Sequence, residues 1–77
     1  MSFVVNYVAN ISGHEYSVVR YDTAHGFPHK DICLPKGRAL RKEPMMRADM
    51  SDLVDVAIDD LKEHWEMYRR RFERWLK

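Results

Sequence analysis

Histidines and carboxylates are concentrated in one short stretch of this 77-residue chain. The titratable side chains that fall there within ten residues are those of Asp22, His25, His29, Lys30 and Asp31. Between the two histidines lies Gly26-Phe27-Pro28, a composition that favours a sharp reversal and brings the flanking residues side by side. We therefore expect a β-hairpin bend that holds both imidazoles and the Asp22 carboxylate around one water-accessible hollow.

Acid–base catalysis without a metal is one chemistry that fits this cluster. His25 and His29 can act as general base and general acid, because imidazole exists in both protonation states near neutral pH. Cleavage of an RNA phosphodiester needs such a pair and a cation that stabilises the charged transition state. Arg20, Lys30 or Arg38 can supply that cation.

A metal site and a purely structural role are the alternatives. Asp22, His25, His29 and Asp31 offer the imidazole nitrogens and carboxylate oxygens that bind divalent metals. In the structural alternative Asp22 caps the turn and His29 hydrogen-bonds a backbone carbonyl. Two histidines four residues apart do not decide between these interpretations. We predict no cofactor, and the metal occupancy of the cluster stays open.

Composition limits the classes of protein to which the chain can belong. Its length predicts one domain over residues 1–77, and a net charge of +1 excludes a highly basic nucleic-acid-binding protein. Cys33 is the single cysteine, which excludes an intrachain disulfide and fits a reducing cytoplasm. No signal peptide is recognisable at the N-terminus, and no apolar run reaches the roughly 20 residues of a membrane span.

The first half of the chain has the pattern of a small antiparallel sheet. Alternating apolar and polar residues predict strands over 3–11, 15–23 and 29–34, separated by turn sequences, and a weaker fourth strand over 39–43. Consecutive strands joined by short turns favour a meander of three to four strands within residues 1–44.

The second half predicts one long amphipathic helix over residues 50–77, packed on one face of the sheet. Its apolar residues recur at spacings of three and four, and they are Val54, Ala57, Ile58, Leu61, Trp65, Tyr68, Phe72, Trp75 and Leu76. Asp49 or Ser51 can cap its N-terminus. Acidic residues early and arginines late in the helix suit its macrodipole. The fold class is therefore α+β.

The length of this helix suggests a partner. About 26 residues span about 39 Å, whereas short strands offer a face of only about 15–25 Å. We therefore expect Phe72, Trp75 and Leu76 to need cover from a second copy, in a homodimer formed through the C-terminal helix. Cover by the N-terminal strand or by residues 44–50 is the alternative. The late arginines, Arg69 to Arg74, can either contact nucleic-acid phosphates or simply lie in solvent.

The stretch from Arg20 to Asp31 resembles the hairpin of the TumE-type toxin family. Members of that family carry a tyrosine-aspartate-asparagine strand end, a glycine-containing turn, a His-x-His pair and a C-terminal helix. Tyr21, Asp22 and His29 match this pattern, while Thr23 and Asp31 depart from it. The resemblance implies a toxin–antitoxin module in which an antitoxin protein is the partner.

Two hypotheses about function result. The first is a toxin-like component of such a module, a small ribonuclease that acts on RNA through His25, His29, Asp22, Arg20 and Lys30. The second is a non-catalytic protein-interaction domain that self-associates through its C-terminal helix.

Overall fold

A computed structural model describes residues 3–23, 27–45 and 49–76. The order of elements is β1 (Val4–Ile11), β2 (His14–Asp22), β3 (His29–Cys33), β4 (Ala39–Pro44) and α1 (Met50–Trp75). The strands form one antiparallel sheet in the order β1-β2-β3-β4, and α1 packs across one face of it. The predicted α+β meander with one C-terminal helix is confirmed.

The β1–β2 hairpin is the longest part of the sheet, with strands of eight and nine residues. Ser12 and Gly13 join these strands with φ angles of 53° and 84°, the positive values that a two-residue hairpin turn requires. The register shifts between Tyr7 and Val8, so that Val18 is an extra residue in β2. This bulge explains why the neighbouring Val18 and Val19 are both buried.

The core lies between this hairpin and α1. Its buried members are Ala9, Val18, Val19, Tyr21, Ile32, Ala57, Tyr68 and Phe72. Leu53, outside the predicted stripe, is also buried, whereas Trp65 is 44% exposed. Asp49 is the N-cap residue of α1, but its side chain makes no capping hydrogen bond.

The expectation that Phe72, Trp75 and Leu76 lack cover within one chain is wrong. Phe72 is only 1% exposed, and its ring packs at 5.3 Å from that of Tyr16. Trp75 and Leu76 are half-buried against the same core. The physical reason is strand length: eight or nine residues span about 26–30 Å. The long β1–β2 hairpin therefore reaches beneath the last turns of α1.

Candidate functional site

Strand register divides the hairpin from Arg20 to Asp31 between the two faces of the sheet. Arg20 lies opposite Asp31, and Asp22 lies opposite His29, while the pair between them is Tyr21 and Lys30. Because side chains alternate along a strand, the first two pairs share one face and the third pair occupies the other. Tyr21 and Lys30 point toward α1. Among the described elements, none packs on the other face, which we call the open face.

The open face gathers Arg20, Asp22, His29 and Asp31. A guanidinium nitrogen of Arg20 donates to the Asp22 carboxylate at 3.1 Å. Asp22 and His29 are 1% and 3% exposed, so the expected water-accessible hollow is not found at these two side chains. Part of the cover on His29 is the ring of Phe27, whose edge contacts it with centroids 5.8 Å apart. Arg20, by contrast, keeps a side chain that is 45% exposed.

His29 and Asp31 face each other with an unusual arrangement of acceptors. Nδ1 of His29 lies 3.0 Å from the Phe27 carbonyl oxygen, which can only accept, so Nδ1 carries the hydrogen. In a neutral imidazole Nε2 is then an acceptor, and it lies 3.7 Å from Oδ1 of Asp31. That oxygen is buried and has no hydrogen-bond partner in the described part of the chain. The two groups therefore face each other without a hydrogen bond between them.

The remaining predicted site residues are not brought to this pair. Lys30 lies on the opposite face of the sheet, where its ammonium group donates a hydrogen bond to the Tyr68 hydroxyl. His25 lies outside the described residues. Among residues 3–23, 27–45 and 49–76, no group of three or more histidine, cysteine or acidic side chains could hold a metal ion. The metal interpretation therefore gains no support from the described residues.

A second polar cluster, beneath the helix, was not predicted from the sequence. One oxygen of Asp60 accepts hydrogen bonds from the hydroxyls of Tyr21 and Tyr68, the latter at 2.6 Å. The Lys30 ammonium donates to the Tyr68 hydroxyl at 3.1 Å and to Asp60 at 3.5 Å. Glu43 approaches the same ammonium at 3.4 Å. We call Tyr21, Lys30, Asp60 and Tyr68 the Asp60 network.

Electrostatics fixes the protonation states of this network. Burial alone would raise the pKa of the Asp60 carboxyl, but the hydrogen bonds from Tyr21 and Tyr68 and the Lys30 charge together lower it. Burial, followed by the hydrogen bond to Asp60, raises the pKa of both tyrosine hydroxyls. Near neutral pH the network thus contains a carboxylate, an ammonium and two neutral phenols. Such phenols donate hydrogen bonds and do not act as bases.

The Asp60 network borders a small pocket of about 230 Å³ between β4 and α1. Its lining includes Tyr21, Lys30 and Asp60 of the network and the apolar side chains of Met45 and Val56. Since all the charges at its wall already have partners within the chain, we assign the network to holding α1 on the sheet. The signal in the sequence was strand alternation, which puts Lys30 on the face of Tyr21 rather than that of His29.

The fold and this site define a small α+β protein with a single helix on a four-stranded meander. The sequence model of a family described as a domain of unknown function, DUF7718, matches residues 1–77, and the chain belongs to that family. No curated protein matches the chain. No solved structure matches it either. No helix in the described ranges is long and apolar enough to cross a membrane.

Proposed function

We propose that this chain is a non-catalytic interaction domain of the cytoplasm that pairs with a second copy of itself. The observation that carries the proposal is the exposure of Trp65 and Ile58, at 44% and 39%, on one side of α1. Arg69, one turn after Trp65, donates to the Asn10 carbonyl oxygen of β1. This contact puts the exposed side of the helix next to β1.

Strand β1 adds a second feature that suits self-association. It is an edge strand of eight residues without proline, and one side of its backbone faces no other strand of the sheet. Such an edge can pair with another strand. Antiparallel pairing with β1 of a second copy would follow a two-fold axis and extend the sheet to eight strands.

The direction of the helix makes these two features act together. Asp60 contacts Tyr21 and Phe72 contacts Tyr16, so α1 runs antiparallel to β2 and parallel to β1. A two-fold axis at the β1 edge therefore brings the two helices alongside in opposite directions, with the Trp65 sides facing each other. The net charge of +1 allows two copies to approach without strong repulsion. A reducing cytoplasm agrees with the single, buried thiol of Cys33.

Sedimentation velocity tests this proposal through two variants of the same helix. The apparent mass of the wild type should be twice the 9.2 kDa of one chain, and the Trp65→Asp variant should have the mass of a monomer. Met67→Asp is the matched control, because Met67 is 47% exposed but lies on the opposite side of α1. A wild type that stays monomeric at high concentration, or equal effects of the two variants, would reject self-association through this surface.

A toxin-like ribonuclease, with RNA as substrate and an antitoxin protein as partner, is the second candidate. The observation that favours it is the grouping of Arg20, Asp22, His29 and Asp31 on the open face. His25 and His29 would exchange protons with the RNA, and Arg20 would stabilise the phosphate charge, since Lys30 lies on the other face. His29 would have to become accessible for this chemistry.

Induced expression distinguishes the second candidate from the first. If the ribonuclease proposal holds, expression slows growth and His29→Ala abolishes the effect while the circular dichroism spectrum stays unchanged. His14→Ala, at an exposed position of β2, is the control and should keep the growth effect. Normal growth on expression of the soluble wild type would reject the toxin role, whatever the oligomeric state.

A further inference from the structure

Another concave surface lies where the β3–β4 turn meets the last turn of α1. Leu34, Pro35, Lys36, Arg38 and Trp75 line a cavity of about 520 Å³ there, which we call the Trp75 cavity. The turn is held by the hydrogen bond from the Leu34 N–H to the Arg38 carbonyl oxygen at 2.7 Å. One wall of the cavity is therefore a hydrogen-bonded turn, and the other is the last turn of α1.

The lining of this cavity combines an apolar floor with a cationic rim. Leu34, Pro35 and Trp75 are half-buried, whereas Lys36 and Arg38 are exposed. No acidic residue is among the described residues that line the cavity. Within the described part of the chain, neither Lys36 nor Arg38 has a carboxylate at ion-pair distance, unlike the helix residues Arg69 and Arg70.

Arg71 adds a third cation close to the Trp75 ring. Its guanidinium carbon lies 5.5 Å from the centre of the Trp75 ring and 5.4 Å from that of Tyr68. Its Nε is buried and has no hydrogen-bond partner among the residues that the structure describes. Cation–π attraction to the two rings favours this position of the guanidinium, and its charge makes the site more attractive to anions.

We propose that the Trp75 cavity binds single-stranded nucleic acid, with a base against Trp75 and the adjacent phosphates at Lys36 and Arg38. Aromatic rings next to unpaired cations suit this ligand, because every base has a stacking face and each nucleotide carries a phosphate. Double-stranded nucleic acid fits less well, since its bases are already stacked. The proposal depends on neither candidate function, because the lining of the cavity includes neither Trp65 nor any of Arg20, Asp22, His29 and Asp31.

Fluorescence anisotropy with labelled oligo(U) and oligo(dT) of about eight nucleotides tests the proposal on the full chain. Arg38→Glu should weaken binding at least about tenfold at low salt, because one phosphate contact is lost and one repulsion is added. Lys62→Glu is the matched control: it makes the same charge change at an exposed position of α1 outside the cavity and should alter binding by less than about twofold.

A second measurement reports on stacking rather than on charge. The chain has two tryptophans, so Trp65→Phe leaves Trp75 as the single indole, and its fluorescence should be quenched as either oligonucleotide is added. A preference for oligo(U) over oligo(dU), which differs only in the 2′-hydroxyl, would identify RNA as the ligand, and equal affinities would identify recognition by base and phosphate alone. Absence of binding, equal weakening by Arg38→Glu and Lys62→Glu, or binding without quenching would overturn the proposal.

Discussion

The two faces of the hairpin from Arg20 to Asp31 contrast in how they satisfy their polar groups. On the face beneath α1, a single Asp60 oxygen accepts from two phenols and lies near the Lys30 ammonium. On the open face, His29 and Asp31 are just as well buried, yet Oδ1 of Asp31 lacks a hydrogen-bond partner in the described part of the chain.

The difference shows what a second layer adds to a sheet. Strand alternation alone puts Tyr21 and Lys30 side by side, but the acceptor that joins them comes from α1. The open face has no described helix to supply such a group, and there Arg20 donates to Asp22 while His29 bonds the Phe27 carbonyl oxygen. Among the described residues, unused hydrogen-bonding capacity therefore remains at Oδ1 of Asp31 on the open face, whereas the hydrogen bonds of the Asp60 network hold α1 on the sheet.

Removal of the most deeply buried aromatic ring of α1, that of Phe72, should have the largest effect on stability. Phe72→Ala should lower the free energy of unfolding by about 3–5 kcal/mol, because it leaves a cavity at a site that is 1% exposed. Val8→Ala on the open face, where Val8 is 46% exposed, should cost within about 0.5 kcal/mol. Urea denaturation followed by circular dichroism measures both. Similar losses at the two positions would mean that the open face is also packed.

Loss of Asp60, the acceptor that Tyr21, Tyr68 and Lys30 share, should have the next largest effect on stability. Asp60→Ala leaves Lys30 and the two tyrosine hydroxyls without their common partner, and we expect a loss of about 2–3 kcal/mol in the free energy of unfolding. The neighbouring Asp59 is exposed, so Asp59→Ala should change stability by within about 0.5 kcal/mol. Equal losses of stability in the two variants, measured by the same denaturation assay, would show that the Asp60 network does not stabilise the fold.

The same network predicts a pH dependence. The pKa of Asp60 in the folded chain lies below its ordinary value of 3.8, so its ionised form stabilises the fold above that pH. This contribution should be lost as the pH falls from about 4 through the folded-state pKa. The difference in unfolding free energy between the wild type and Asp60→Asn should therefore shrink in acid. A difference that is constant with pH would contradict the assigned charge on Asp60.

The elements of this fold were predictable because their signals are local. Alternation and turn residues indicated all four strands, with every strand end predicted to within one residue, and the three-and-four spacing indicated α1. The position of α1 along the β1–β2 hairpin, which puts Phe72 against Tyr16, was missed, since strand boundaries do not report where a helix lies on a sheet. The Asp60 network was also missed. Its members are separated by up to 47 residues, from Tyr21 to Tyr68, and their contact depends on how α1 is placed on the sheet.

Neutralising the Asp31 carboxylate, whose Oδ1 lacks a hydrogen-bond partner in the described part of the chain, should have the smallest effect on stability, and one of opposite sign. Asp31→Asn replaces Oδ1 by a group that can donate to Nε2 of His29, 3.7 Å away, so the free energy of unfolding near neutral pH should rise by up to about 1 kcal/mol. Asp60→Asn, the same chemical change on the covered face, should lower it, because three donors there need a charged acceptor. Denaturation of both variants at one pH measures the two signs. A loss of stability in Asp31→Asn comparable to that in Asp60→Asn would mean that the open-face carboxylate has a donor after all, and that the two faces satisfy their polar groups in the same way.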